Sequence, residues 1–505
     1  MEEGSSPEEL EESTKDESVE VEATSKTEPL TLNLEGGDWG YPTPYAHYAR
    51  GPGIYKMKLI FDSMMETGEE GLIPFLAEKW DIEDSGRSYT FYIRKGVQWH
   101  DGEALSAEDI KFSFDYYKEY PPVMDDLARS KKDYIEEINV IDKYTLNIKI
   151  KSPDATLLER FGTARIIPKH IWEKVEDPLK FQGPEAVIGS GPYKLADYSK
   201  EQGAYKFEAF RDYWGYKPAA ATLRFIPVSD PILAFENADI DIVAITPDIL
   251  SKYQEDPSYK IVESPAFWGY RILLNMEARP ELKEKALRQA IAYGIDRDEL
   301  IDKVARGAAK IASPGFLPIE HSFYNDNIKK YDFNLEKSRS LLDGKEYEFS
   351  LLTGNSNAEV RIAELIKLNF EKIGIKLRIT SLDMKSRDAA IKSGEYELVL
   401  NGHGLWGTDP DKLRIFYNSE FQETPGYLNE EIDALSNEQL VCTYPQKRKE
   451  IIFELQEVIA EEIPMLTLYN TSGFTVYRPE KYDGWTHVFN HHEITHNKIS
   501  YLIME

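Results

Sequence analysis

The residues whose types and spacing could do chemistry lie near the end of the chain, at His492-Glu493-Ile494-Thr495-His496. Spaced as H-E-x-x-H on a helix, the two imidazoles share one face and bind zinc while the carboxylate between them acts as general base. That chemistry needs the helix, and the surroundings oppose one. Ile494 and Thr495 are β-branched, Asn490 and Asn497 flank the motif, and Ile499-Ser500-Tyr501-Leu502-Ile503 reads as a strand. A zinc hydrolase using His492, Glu493 and His496 is therefore a remote alternative, and a helix across residues 490–498 is its minimum requirement. The same stretch supports a binding chemistry more simply. His491 and His492 are adjacent, and two imidazole nitrogens on a loop suit nickel or copper. No G-x-S-x-G, phosphate-binding glycine loop or dinucleotide fingerprint is visible, and Cys442 is the only cysteine, so an internal disulfide and CxxC sites are excluded. The reading is of a binding protein, not an enzyme.

The elements that must position these residues are mixed. Leu30-Thr31-Leu32-Asn33-Leu34, Ser88–Ile93 and Tyr144–Ile150 alternate with period two and predict strands. Ser106-Ala107-Glu108-Asp109 supplies a capping Ser and an acidic residue three positions on, which predicts a helix over 106–118. Apolar spacing predicts helices over 282–304 and 361–373, the second followed by a strand at 375–379. This mixture excludes all-α and all-β folds and predicts an α/β protein. At 505 residues and 41% hydrophobic content the chain has material for two or three lobes. Its 60 basic residues against 89 acidic ones leave a net charge of −29, which argues against nucleic acid or an anionic lipid surface as partner. Residues 1–28 hold eleven acidic residues, two lysines and no aromatic, the composition of a disordered acidic linker.

Beyond these patterns, an ordered series of short segments resembles one known family. It begins at Leu76-Ala77-Glu78-Lys79-Trp80 and Arg94-Lys95-Gly96-Val97-Gln98-Trp99-His100-Asp101-Gly102-Glu103-Ala104-Leu105-Ser106-Ala107-Glu108-Asp109. It continues through Gly189-Ser190-Gly191-Pro192-Tyr193, Asp212-Tyr213-Trp214-Gly215, Ala234–Asp241 and Leu287-Arg288-Gln289-Ala290-Ile291-Ala292-Tyr293-Gly294-Ile295-Asp296-Arg297. In this order they resemble the peptide/nickel family of ABC-importer substrate-binding proteins, solute-binding protein family 5.

The resemblance implies a two-lobed periplasmic-binding-protein-like fold of type II, with an extra subdomain and a hinge between the lobes. The expected divisions are 29–73, 189–265 and 469–505 for lobe 1, 74–188 for its extra subdomain and 266–468 for lobe 2. It implies a monomeric, extracytoplasmic protein that hands a small ligand to an ABC-importer permease. Residues 1–28 would be the spacer behind a removed N-terminal lipid anchor, the only link to the membrane. Nickel-binding members of the family use adjacent histidines late in the chain with a third near the start of the globule. His491 and His492 match the pair by position, and His47 matches the third. Peptide-binding members place an Asp just before a D-P-D element, where this chain has Trp406, and nickel-binding members place Trp there against the metal's organic chelator. Trp406 is thus the expected chelator wall, with His403 as a further ligand or polar cleft residue. Arg165 is the expected fork for the chelator's carboxylates. The bound ligand is then expected to be Ni(II) with a small chelator such as histidine, with no catalytic cofactor. A dipeptide- or oligopeptide-binding protein of a peptide importer is the alternative.

Overall fold

The computed structural model describes residues 29–48, 52–124, 127, 134–404, 409–421, 423–488 and 493–504. The acidic segment 1–28, Trp406 and the pair His491–His492 lie outside these residues.

The fold is α/β and two-lobed. The first lobe is founded on a four-stranded sheet in the order Thr31–Glu35, Thr222–Ile226, Ala204–Ala209, Tyr193–Ser199. Its first two strands run parallel and the others antiparallel. Leu32 and Leu34 are buried while their neighbours are not, as the alternation in the sequence requires. A second four-stranded antiparallel sheet, ordered Ala77–Glu83, Ser88–Ile93, Thr145–Ile150, Ile135–Asp142, packs into the same core. Beside it lies the helix Ala107–Glu119, closed at its start by reciprocal bonds between Ser106 and Asp109. Asp109 also accepts from the Lys169 amide, so the cap ties this helix to the start of the short helix Lys169–Trp172.

The second lobe is built on a six-stranded sheet in the order Ala309–Ile311, Met465–Thr471, Trp268–Leu274, Leu398–Gly404, Tyr347–Gly354, Ile375–Leu382. One face carries the helices Lys285–Tyr293 and Asn357–Glu371, and the other carries Pro445–Glu462. The chain returns to the first lobe through Phe474–Tyr477, which pairs with both Ile242–Ile245 and Lys260–Glu263.

Two sequence expectations change. The helix expected over 282–304 is a 3-10 turn at Pro280–Lys283 and two helices, Lys285–Tyr293 and Arg297–Lys303. Glu284 is extended, and Asp296 caps the second helix by accepting from the Glu299 amide, so polar termini interrupt a continuous apolar spacing. The strand expected over 499–503 is a 3-10 turn at Ile499–Tyr501 followed by the short strand Leu502–Ile503. Asn497 causes this. Its side chain donates to the Thr486 and Ile494 carbonyls and accepts from the Ser500 amide, turning the backbone before a ladder can form.

Candidate functional site

The loop that follows the first strand folds back on itself through a bridge between Gly40 and His47 and a bond from the Tyr48 amide to the Trp39 carbonyl. Gly40 has φ +79, and a side chain there would meet the Ala46 carbonyl at 2.4 Å, so this turn requires glycine. The turn places His47 in the interior, 4% exposed. Its Nδ1 lies 2.9 Å from the Tyr48 carbonyl oxygen, which can only accept, so Nδ1 carries the proton. Nε2 is left with a lone pair and has no hydrogen-bond partner among the described residues. Burial pulls the ring's pKa down, which keeps it neutral. A histidine fixed by a backbone carbonyl at one nitrogen and free at the other is the form that ligates a metal.

The segment after the histidine pair docks close by. His496 stacks on Tyr55 with ring centroids 4.6 Å apart and planes 7° from parallel. Tyr55 belongs to the helix Pro52–Ile60, which begins just after the His47 loop. Glu493, one residue past the pair, has its pKa pushed up to about 7 by burial and by the charge of Glu35. Lys56, on the same helix, is buried with no hydrogen-bond partner, its ammonium 4.1 Å from the centre of the Phe225 ring. Burial pulls it down to about 7, against the opposing effect of Glu35. The helix that H-E-x-x-H chemistry needs is not formed. Glu493 is extended and only a single 3-10 turn, Ile494–His496, follows. Among the described residues no three of His, Cys, Asp and Glu converge as a metal-holding group.

In place of the free fork expected of Arg165, the guanidinium is closed on Glu66, with Nη2 at 3.2 Å from the second carboxylate oxygen. Both side chains are 6% exposed. Lys498 reaches the same carboxylate at 3.1 Å and Asp62 at 2.5 Å. Asp62 in turn accepts from Trp214 Nε1 at 3.0 Å and from Ser190. Burial would raise Glu66, but Arg165 and Lys498 more than offset it and hold it well below the usual carboxylate range. This network ties the C-terminal segment, through Lys498, to the end of the helix that carries Tyr55 and Lys56.

His403 lies in the second lobe at the end of Leu398–Gly404, buried, with its ring stacked on Phe316 at 4.9 Å. Burial and the nearby Arg271 charge hold it well below the usual imidazole range, and its Nδ1 has no partner among the described residues. The hollow of about 760 Å³ lined by Asp101, His170 and Lys174 has neither His47 nor Arg165 nor His403 in its lining. Sequence reasoning passes over Lys56, Glu493 as a buried acid, and Arg271. Arg271 alone leaves a readable signal, a cation inside the run Tyr270–Leu274.

Residues 71–424 match the bacterial extracellular solute-binding proteins, family 5 middle region. The chain belongs to this family. As a family 5 member it is a substrate-binding protein of an ABC importer, and its residues match those of relatives along most of their length. It is 27% identical over 455 residues to the dipeptide-binding protein of Escherichia coli, covering 82% of this chain and 84% of that protein. Its fold is similar to that of the ABC transporter substrate-binding protein CtaP from Listeria monocytogenes, with a TM-score of 0.79, 25% identity and coverage of 94% and 98% of the two chains. It is also similar to NikZ from Campylobacter jejuni in complex with Ni(L-His), with a TM-score of 0.73, 22% identity and coverage of 94% and 99%. Among the described residues no helix is long and apolar enough to cross a membrane.

Proposed function

We propose that this family 5 protein captures nickel, held by a small chelator such as free histidine, in the cleft between its lobes and delivers it to a membrane permease. His47 carries the reading. Its Nε2 is buried, unprotonated and without a partner, and its orientation is set by the Tyr48 carbonyl, as a ligating imidazole requires. His491 and His492 would complete the set. The docking of Glu493 and His496 against Tyr55, on the helix that follows the His47 loop, supports bringing the pair towards it. Trp406 would pack on the chelator from the second lobe. The ligand bridges two lobes, so it favours closure only by as much as it binds the closed form better, and that difference is what signals loading to the permease. The protein acts outside the cytoplasm, as a monomer held at the membrane by an N-terminal lipid.

The likeness to a dipeptide-binding protein favours a second reading, in which an extended peptide fills the same cleft and the histidines are incidental. Paired variants separate the two. Replacing His491 and His492 together by Ala, or His47→Gln alone, should lower nickel affinity at least about tenfold with the melting temperature of the ligand-free protein unchanged. Nickel binding at wild-type strength in both variants would exclude the nickel reading.

A further inference from the structure

Other buried arginines of the second lobe set a standard of satisfaction. Arg288 donates to the carbonyls of Leu282, Lys283, Glu462 and Ile463 at 2.8 to 3.1 Å. Arg297 donates to those of Ala292, Tyr331 and Thr467 at 3.0 to 3.2 Å. Arg448 closes a two-point pair on Asp409. Arg271, 4% exposed in the middle of Trp268–Leu274, has nothing comparable. Its Nη1 meets the Met465 sulfur at 3.5 Å, its Nη2 lies 3.6 Å from Glu423, and its Nε has no partner among the described residues. A guanidinium taken out of water without hydrogen-bonded counter-charge is costly, and a ligand group that completes its bonding offsets that cost.

The surroundings are those of a site. Arg271 pairs with Asn401 across the sheet and Gly269 with His403, so Arg271 and His403 project from the same face. The Phe416 ring lies 4.4 Å from the guanidinium carbon. Phe316 stacks on His403 and meets Tyr417 edge-on at 5.6 Å. It does so with φ +78, a left-handed conformation that a bulky side chain adopts only where the fold imposes it, commonly at binding sites. The Tyr417 hydroxyl and His403 Nδ1 are both buried and both without a partner among the described residues. His403 lies next to last in its strand, four residues past Val399, the last residue paired with the parallel strand Tyr347–Gly354, and so towards the carboxyl end, the end of a sheet where ligands enter α/β folds.

We propose that Arg271, with the Tyr417 hydroxyl and the His403 imidazole, forms a subsite in the second lobe that takes a carboxylate of the bound ligand. The proposal rests on the function above for the ligand's identity and supplies the carboxylate fork that Arg165 does not. Glu423, at 3.6 Å, is a weakly held internal carboxylate that the ligand's own displaces.

Calorimetric titration of the metal-stripped full chain with two matched pairs tests it: Ni²⁺ with L-histidine against Ni²⁺ with histamine, and Ala-Ala against its C-terminal amide. Wild type should bind the carboxylate-bearing member of whichever pair it takes about tenfold more tightly or better. Arg271→Met should bind both members alike, with a melting temperature at or above that of wild type, since an apolar side chain replaces a poorly paired buried charge. Tyr417→Phe deletes an unpartnered hydroxyl, folds as wild type and should reduce the preference. A peptide pair discriminated through Arg271, with no nickel binding, would overturn the nickel reading and uphold this subsite. A preference unchanged in both variants, no preference in wild type, or binding of neither pair overturns the subsite.

Discussion

The ring of His100 shows how much one side chain can hold. Its backbone amide bonds to the Gly189 carbonyl at 2.8 Å, its Nδ1 accepts from the Gly189 amide at 3.3 Å, and its Nε2 donates to the Gly191 carbonyl at 2.9 Å. Two of the motifs by which the family is recognised, around Trp99-His100-Asp101-Gly102 and Gly189-Ser190-Gly191, are thus clasped by one imidazole. The neutral ring suits this clasp, because a proton on Nδ1 would face the Gly189 N–H, while the Gly191 and Val187 carbonyls favour the charged form and are outweighed by burial. Burial, the largest influence, pulls its pKa down to about 4. The unfolded chain then binds the extra proton first, so stability is full above pH of about 6.5 and falls as the pH drops towards about 4, by up to about 3 kcal/mol from this residue. Urea denaturation across that range should show the loss, and His100→Gln should remove about one proton from the linkage. A slope unchanged in the variant would contradict the assignment. The motifs are plain in the sequence, but the clasp between them is not. The same holds for His47, whose character depends on a carbonyl presented by the next residue in a folded turn, and for Arg271, whose lack of partners is a property of its surroundings.

At the scale of elements, the C-terminal segment is held by charge buried beneath it. Lys498 is fully enclosed and bonds Asp62, Glu66 and the Phe61 carbonyl. Removing it leaves Asp62 buried without its counter-charge and Glu66 with Arg165 alone, so Lys498→Met should cost about 3 to 5 kcal/mol in urea denaturation. Pairing it with Asp62→Asn should recover part of the loss, and equal destabilisation by the single and double variants would contradict the coupling. Strands were legible where one face is buried, as in Ser88–Ile93, because alternation records the burial directly. The helix Ala107–Glu119 was legible from its cap. Elements failed to be legible where polar side chains bond their own backbone, as Asn497 and Asp296 do, since those bonds compete with the regular pattern and leave the apolar spacing intact.

For the whole molecule, the two lobes also meet away from the crossing strands. The Ala155 amide, which follows the strand Thr145–Ile150, donates to the Leu440 carbonyl of the second lobe at 2.7 Å. Gly86 lies so close to Thr443 that a side-chain carbon on it would fall 2.2 Å from the Thr443 methyl. A bulky Thr443→Trp should therefore hold the lobes apart, raising the radius of gyration in small-angle scattering and lowering affinity for any ligand that both lobes enclose. An unchanged radius would show that this contact does not limit closure. The two-lobed α/β architecture was legible because many short motifs recur in one order. The ligand was not, because the chain matches a dipeptide-binding and a nickel-binding protein alike along most of its length, leaving the choice to the side chains proposed as ligands, His47, His491 and His492.

Those side chains make the decisive measurement a calorimetric titration of the metal-stripped protein with Ni²⁺, alone and with excess free histidine, beside a panel of short peptides. The account predicts tight one-to-one nickel binding that strengthens with histidine, weakens as pH falls through the imidazole range near 6.5, and is matched by no peptide. Peptide binding with no heat from nickel would contradict it.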